Sequence, residues 1–254
     1  ASQTGGVFGA LISGILISTL GPGLQFLVIG LMYVISFLFL FGATESGQSA
    51  STRKESFGSN LKGYINLIQQ YPVLLILMCL ASITEIFGFT HMSLIPVFAK
   101  EILSVGPIGL GVLTAIRQVG GFLGLFALAL LGDYRNKGKL MFYVVVFFGL
   151  GQIFLSFSDK FYLFAIFLLF VNACAMSVDT LYKTLMQQNV PNEHRGRAMG
   201  SWVLSIGTAP VGYLSIGAIA AAFGAPMAVL FNGIMLTIAG TSSFLCLPKI
   251  RKLP

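Results

Sequence analysis

The chain has 254 residues, of which 56% are hydrophobic and 9% charged, with a formal net charge of +7 and a mean hydropathy of +0.89. Soluble domains carry about 25% charged residues. Eight acidic and fifteen basic side chains cannot cover a globule of this length, so a water-soluble domain is excluded and lipid is the solvent for most of the surface.

A spanning helix needs about 20 mostly apolar residues, because the hydrocarbon core is about 30 Å thick and each residue rises about 1.5 Å. Eight segments meet this condition: 4–20, 24–42, 73–98, 108–131, 140–158, 161–186, 199–223 and 226–247. Their length and lack of inside–outside alternation exclude barrel strands. The first segment begins almost at Ala1, with no charged leader before a cleavable stretch. We therefore expect the chain to start partway through a longer protein.

The connection 43–72 turns from Ser-, Gly- and Thr-rich to amphipathic, with Phe57, Leu61, Tyr64 and Ile68 at helical spacing. This predicts a helix lying in the membrane interface, and Pro72 then starts the next span, where its missing N–H costs little. Span 73–98 carries Glu85 near its middle and His91 six residues later; span 108–131 carries Arg117 near its middle. Ionisable groups at such depth cost about 2.5–3.5 kcal/mol each on insertion scales and mark pathways or partners. Glu85 and Arg117 are thus expected to face one cavity, as a proton-binding carboxylate and a counter-charge, or to form a structural ion pair. His91 is either a proton relay or a satisfied packing residue. Asn172, Gln118 and Gln152 are candidates to line the cavity or to join helices, and Phe87, Phe89 and Trp202 either pack in the core, the favoured reading, or stack on an aromatic substrate.

Between spans comes the most polar stretch of the chain, "LLGDYRNKGKLM" at 130–141. In span 161–186, Asp179 and Lys183 stand four apart on one helix face, about 9 Å and about 15 Å from the centre at 1.5 Å per residue, and read as a gate or a structural pair. The cysteines Cys79, Cys174 and Cys246 fall in separate apolar runs and read as reduced packing residues.

Arg53, Lys54, Lys62, Arg135, Lys137, Lys139, Arg195, Arg197, Lys249, Arg251 and Lys252 fall in connections on one side, against Lys100 and Lys160 on the other. By the positive-inside rule the first side, with both chain ends, is cytoplasmic. That topology also accounts for the net positive charge without a nucleic-acid partner. A repeat is present as well: Gly9, Gly14 and Gly21 recur as Gly212, Gly217 and Gly224 at a constant offset of 203, each triplet closely followed by Pro22 or Pro226. Glycines on one face let helix backbones approach closely.

"GDYRNKGKL", with Gly132, Asp133, Arg135, Gly138 and Lys139, resembles the cytoplasmic motif of the major facilitator superfamily. "VPNEHRGRAMG", with Glu193, Arg195, Gly196 and Arg197, resembles the motif opening that family's eleventh helix, and "LKGYINLIQQYPVLLILM" its interfacial helix and seventh span. Within the superfamily the chain is similar to bacterial exporters of the enterobactin-exporter and macrolide-efflux type. The resemblance implies an all-α integral membrane protein, eight transmembrane helices of an incomplete twelve-helix fold. Residues 1–42 would be the last two helices of the N-terminal half, 43–72 the linker and 73–254 the C-terminal half, with four helices upstream missing. It also implies a multi-pass protein of the bacterial inner membrane. Two departures stand out: the family's Gly-Pro-x-x-Gly-Gly pattern loses its proline at Gly9 to Gly14, and the 132–139 motif has Tyr134 and a longer stretch before Gly138.

The expected function is secondary transport, the proton-coupled export of a small amphipathic molecule such as a drug or siderophore by alternating access. The partners are the lipid bilayer, that substrate and protons. The alternatives are a lysophospholipid or lipid transporter of the same superfamily and a channel-like or scaffold protein. No HExxH, GxSxG, Cys/His cluster or phosphate loop supports an enzyme, a metal site or a cofactor. In the 132–139 motif, Asp133 is expected to bind exposed amides of the next helix or a basic residue and so latch two helices.

Overall fold

A computed structural model of the chain describes residues 2–41 and 57–254. Arg53, Lys54 and the first part of the 43–72 connection lie outside the described residues, as do the side chains of Phe57, Leu61 and Lys62. The described residues are helical throughout, in the order α1 Ser2–Phe41, α2 Phe57–Gln70, α3 Pro72–Phe87, α4 Ile95–Val97, α5 Gly106–Leu131, α6 Lys137–Ser156, α7 Phe161–Gln188, α8 Arg195–Ile206, α9 Ala209–Phe223, α10 Ala225–Cys246 and α11 Pro248–Arg251.

Seven helical stretches among them are long and apolar enough to cross a membrane, and the first, Gly5–Phe39, consists of two helices joined at a kink. Gly21 interrupts α1 with φ 77° and ψ 168°, a left-handed conformation that favours glycine. The two limbs fold back on each other, since Gln25 Nε2 donates to Ser13 Oγ twelve residues away; in a straight helix that separation is about 18 Å. Gly224 turns α9 into α10 with nearly the same backbone, φ 88° and ψ 157°. The third glycine of the repeat therefore does the same work in both copies.

With lipid as apolar as leucine, helices are held by close van der Waals approach and interhelical hydrogen bonds. Glycines supply the approach. A Cβ on Gly149 of α6 would lie 2.8 Å from the Gly233 carbonyl of α10, and one on Gly124 of α5 would overlap the Ala173 carbonyl of α7. The first limb of α1 meets α5 at Gly14 against Gly111, and α9 meets α3 at Gly212 against Ile86 and Thr90. Gly9 and Gly217, expected to pack helices, have open space where a side chain would stand. Each copy of the repeat uses a different one of its first two glycines, because a different neighbour lies beside it. Of the cysteines read as packing residues, Cys174 is buried, whereas Cys79 and Cys246 face outward.

Two of the predicted spans are not continuous α-helices. The span read as 73–98 runs as α3, a 3-10 turn Phe89–Leu94, the short α4, and a π turn Phe98–Ile102. The span read as 199–223 divides into α8 and α9 at Gly207 and Thr208. Pro96 and Pro210 each lack the N–H that a continuous ladder needs. The two breaks are neighbours, since Thr208 Oγ1 reaches the Ser82 carbonyl at 3.5 Å and Gly212 rests on Ile86.

The amphipathic α2 docks on the end of the bundle where α3 and α8 begin. Its buried residue is Leu67, which joins Tyr64 and Ile68 on the inward face. The Tyr64 hydroxyl donates to Ser201 Oγ at 2.5 Å. Burial raises this phenol above its ordinary value, opposed by the Ser201 hydrogen bond.

Candidate functional site

Inside the membrane-spanning bundle, α3, α7 and α8 bring four polar side chains together. Asp179 and Lys183 on α7 form an ion pair of 2.7 Å. The other carboxylate oxygen of Asp179 accepts the Trp202 indole N–H from α8 at 2.8 Å, and the Lys183 ammonium lies 4.1 Å from the centre of the Trp202 ring. Glu85 on α3 is half-buried and has Asp179 as its electrostatic neighbour. The group thus holds two carboxylates against one ammonium. Trp202 packs against the core, as one of its two readings has it, and its polar handle also bridges α8 to the α7 pair.

Glu85 and Arg117 do not pair: neither takes part in an ion pair among the described residues. Arg117 Nη1 donates to Met92 Sδ at 2.8 Å, its charge lies within reach of Tyr213 on α9, and its Nε is buried without a partner.

The break after α3 is sealed by polar side chains. The Gly88 carbonyl, which in a continuous helix would take the residue 92 N–H, accepts His91 Nδ1 at 2.6 Å and Gln152 Nε2 at 2.7 Å. Irregular backbone at membrane depth persists only where protein groups or a water-lined cavity satisfy it. His91 is 1% exposed and packs edge-on against Phe148, with ring centres 5.9 Å apart. Its Nδ1 is thereby committed to the Gly88 carbonyl at the break. Asn232 of α10 donates to Thr90 Oγ1 at 2.9 Å, and Thr84 shares a 2.9 Å hydrogen bond with the Tyr182 hydroxyl of α7. His91 Nε2, Gln152 Oε1 and Asn232 Oδ1 remain buried without protein partners, so the break keeps unused hydrogen-bonding capacity. Asn172, expected to line the cavity, is 2% exposed and donates back to the Leu168 carbonyl of its own helix at 2.9 Å.

At the end carrying the basic connections, Asp133 follows the end of α5 and takes as its basic partner Lys137, the first residue of α6. Its carboxylate is 93% exposed and pairs with Lys137 four residues on, at 2.7 Å. The Lys137 hydrogen bond and charge hold it below the usual carboxylate range. Gly132 ends α5 with φ 58°. The second motif glycine, Gly138, serves packing, since a Cβ there would overlap the Ile250 carbonyl, and its N–H bonds the Leu253 carbonyl at 3.2 Å. The glycine seats α11 on the start of α6. In the second motif, Glu193, Arg195, Gly196 and Arg197 lie toward solvent at the start of α8, and a Cβ on Gly63 of α2 would lie 3.3 Å from the Arg197 guanidinium.

The sequence carries signals for the two breaks that hydropathy averages away: Gly88-Phe89-Thr90-His91 and Gly207-Thr208-Ala209-Pro210 are small or polar interruptions inside apolar runs. Gly-interrupted and Pro-interrupted spans are the mark of discontinuous transporter helices. No curated protein matches the chain. The family described as transmembrane secretion effector matches residues 6–253, nearly the whole length. The chain therefore belongs to the transmembrane secretion effector family of major facilitator transporters.

Proposed function

We propose that this transporter exports a small amphipathic molecule in exchange for protons, by alternating access. In this reading residues 1–42 are the last two helices of an N-terminal half, 43–72 the connection and 73–254 the C-terminal half, with four further helices upstream. The end bearing Arg135, Lys139, Arg195 and Lys252 faces the cytoplasm of a bacterial cell.

The observation that carries the reading is the surplus carboxylate where α3 meets α7 and α8. Glu85 lies within electrostatic range of Asp179, whose charge is already paired with Lys183. A proton neutralises Glu85, and so does a cationic group on a substrate. A carrier in which the two compete for one carboxylate exchanges them. The discontinuous spans beside it give the bundle places to bend without breaking a continuous ladder. The repeated turn at Gly21 and Gly224 supports equating the α1 limbs with α9 and α10 as corresponding parts of two halves.

Efflux of a fluorescent cationic amphiphile from proteoliposomes of the natural full-length transporter tests this. An imposed pH gradient accelerates wild-type flux, and Glu85→Gln, which removes the charge for which proton and cation compete, lowers the gradient-driven component at least about tenfold and weakens exchange of the cationic substrate at equal pH as well. Gradient-driven flux unchanged by the substitution removes Glu85 from coupling, and flux that neither saturates nor responds to the gradient favours a channel-like protein.

A further inference from the structure

At the basic end, Arg135, Lys139, Arg251 and Lys252 line one polar cavity of about 630 Å³, with Phe244 as its apolar wall. They come from the turn before α6, from α6 itself and from the α11 tail that Gly138 seats. Among the described residues none of the four forms an ion pair. Asp133, the nearest carboxylate in sequence, is taken by Lys137, which lines a different cavity, between α5, α6 and α7.

Aromatic rings position two of the cations without neutralising them. The Arg251 guanidinium lies 4.9 Å from the centre of the Phe244 ring and the Lys139 ammonium 5.7 Å from that of Tyr143; the two rings stack with centres 5.5 Å apart. Phe244 is also shared with a second, apolar cavity of about 210 Å³, which continues along α6 and α10 past Tyr143, Phe147 and Thr241. A cationic basin at the membrane edge thus shares its Phe244 wall with an apolar groove on the outward face of two spans.

We infer that this site holds an anionic glycerophospholipid of the surrounding leaflet, its phosphodiester among Arg135, Lys139, Arg251 and Lys252 and one acyl chain along the α6 and α10 groove. Four cations without a bonded carboxylate match a headgroup of net negative charge and not a zwitterion. The groove beyond Phe244 separates a lipid from a soluble phosphate, which has nothing to place there.

Native mass spectrometry of the full chain, titrated with phosphatidylglycerol and in parallel with phosphatidylcholine, tests the assignment. Phosphatidylglycerol binds at least about tenfold tighter, and Lys139→Gln with Arg251→Gln lowers its affinity about thirtyfold, the effect of two cations at a charged surface. Should that double variant fail to fold, Lys252→Gln, at an exposed position, lowers affinity about fivefold. Thr241→Trp, which fills the groove, weakens both lipids. Lys249→Gln, an exposed cation of the same tail outside the cavity, changes neither. Equal binding of the two lipids overturns the assignment. So does a Lys249→Gln effect as large as that of Lys252→Gln, which would mark diffuse surface charge, or displacement of the lipid by millimolar inorganic phosphate, which would mark a free-anion site.

Discussion

The seam between α6 and α10 and the seam between α3 and the α8–α9 pair are built from similar residues and behave as opposites. Along the first, Gly149, Gly233 and Gly240 bring two unbroken helices to backbone contact. Along the second, Gly212 makes a similar contact with Ile86, but both partners are interrupted nearby, at Gly88 and at Gly207–Thr208. One seam fixes two elements as a unit; the other joins two elements that each have a joint, with the polar groups of the site beside them. Motion in the membrane needs such joints, since packed interfaces are bistable and do not deform continuously.

Substitutions separate the two seams, and the largest effect belongs to the rigid one. Gly149→Leu puts a branched side chain where even a Cβ lies 2.7 Å from the Thr237 nitrogen. A loss of at least about 3 kcal/mol follows from overpacking, seen as disappearance of the monodisperse peak in size-exclusion chromatography. Next comes Asp179→Asn, which leaves Lys183 half-buried without its counter-charge; about 1–2 kcal/mol is lost in thermal melting, and transport falls further than stability. Normal transport by a variant of ordinary melting temperature would show that the α7 pair is packing alone.

Gly88→Ala probes the joint itself. The added methyl meets the Thr84 carbonyl at 2.5 Å and the Phe148 ring at 2.7 Å, so about 1–3 kcal/mol is expected, with transport slowed because the break can no longer relax. Trp202→Phe keeps the ring over Lys183 and removes the indole N–H from Asp179, worth about 1 kcal/mol; pH-dependent transport shifts while expression does not. The smallest effect is at Asp133. Its carboxyl is held below the ordinary range by Lys137, so any contribution to stability is present above the unfolded value and lost as pH falls through the folded one. Full exposure makes that contribution slight. Asp133→Asn should melt like wild type at pH 7 and merely flatten the acid limb; a clear drop at pH 7 would show that the pair with Lys137 fastens α5 to α6.

Much of this architecture is legible in the residues. Apolar length locates the crossings, the repeated Gly-Pro spacing marks the two equivalent turns, and the i, i+4 spacing of Asp179 and Lys183 identifies their pair. What escapes is azimuth and interruption. Glu85 and Arg117 share a depth, and depth is all that a position along a hydrophobic run conveys; which side each faces depends on neighbours chosen in three dimensions. An apolar window of about 18 residues likewise averages Gly88 or Thr208 into its surroundings, although each changes where the backbone hydrogen bonds go. Trp202 escapes for a related reason. An indole in an apolar run is ordinarily core, and its polar handle matters only once Asp179 is opposite.

Trp202 has one more property. It is the sole tryptophan of the chain, and its indole nitrogen is bonded to Asp179 while its ring lies under Lys183. The tryptophan emission of these 254 residues therefore originates at a single point inside the candidate site. Its colour and quenching should follow any change in the charge on that acid–base pair, so the chain carries its own optical probe there, with no label to attach.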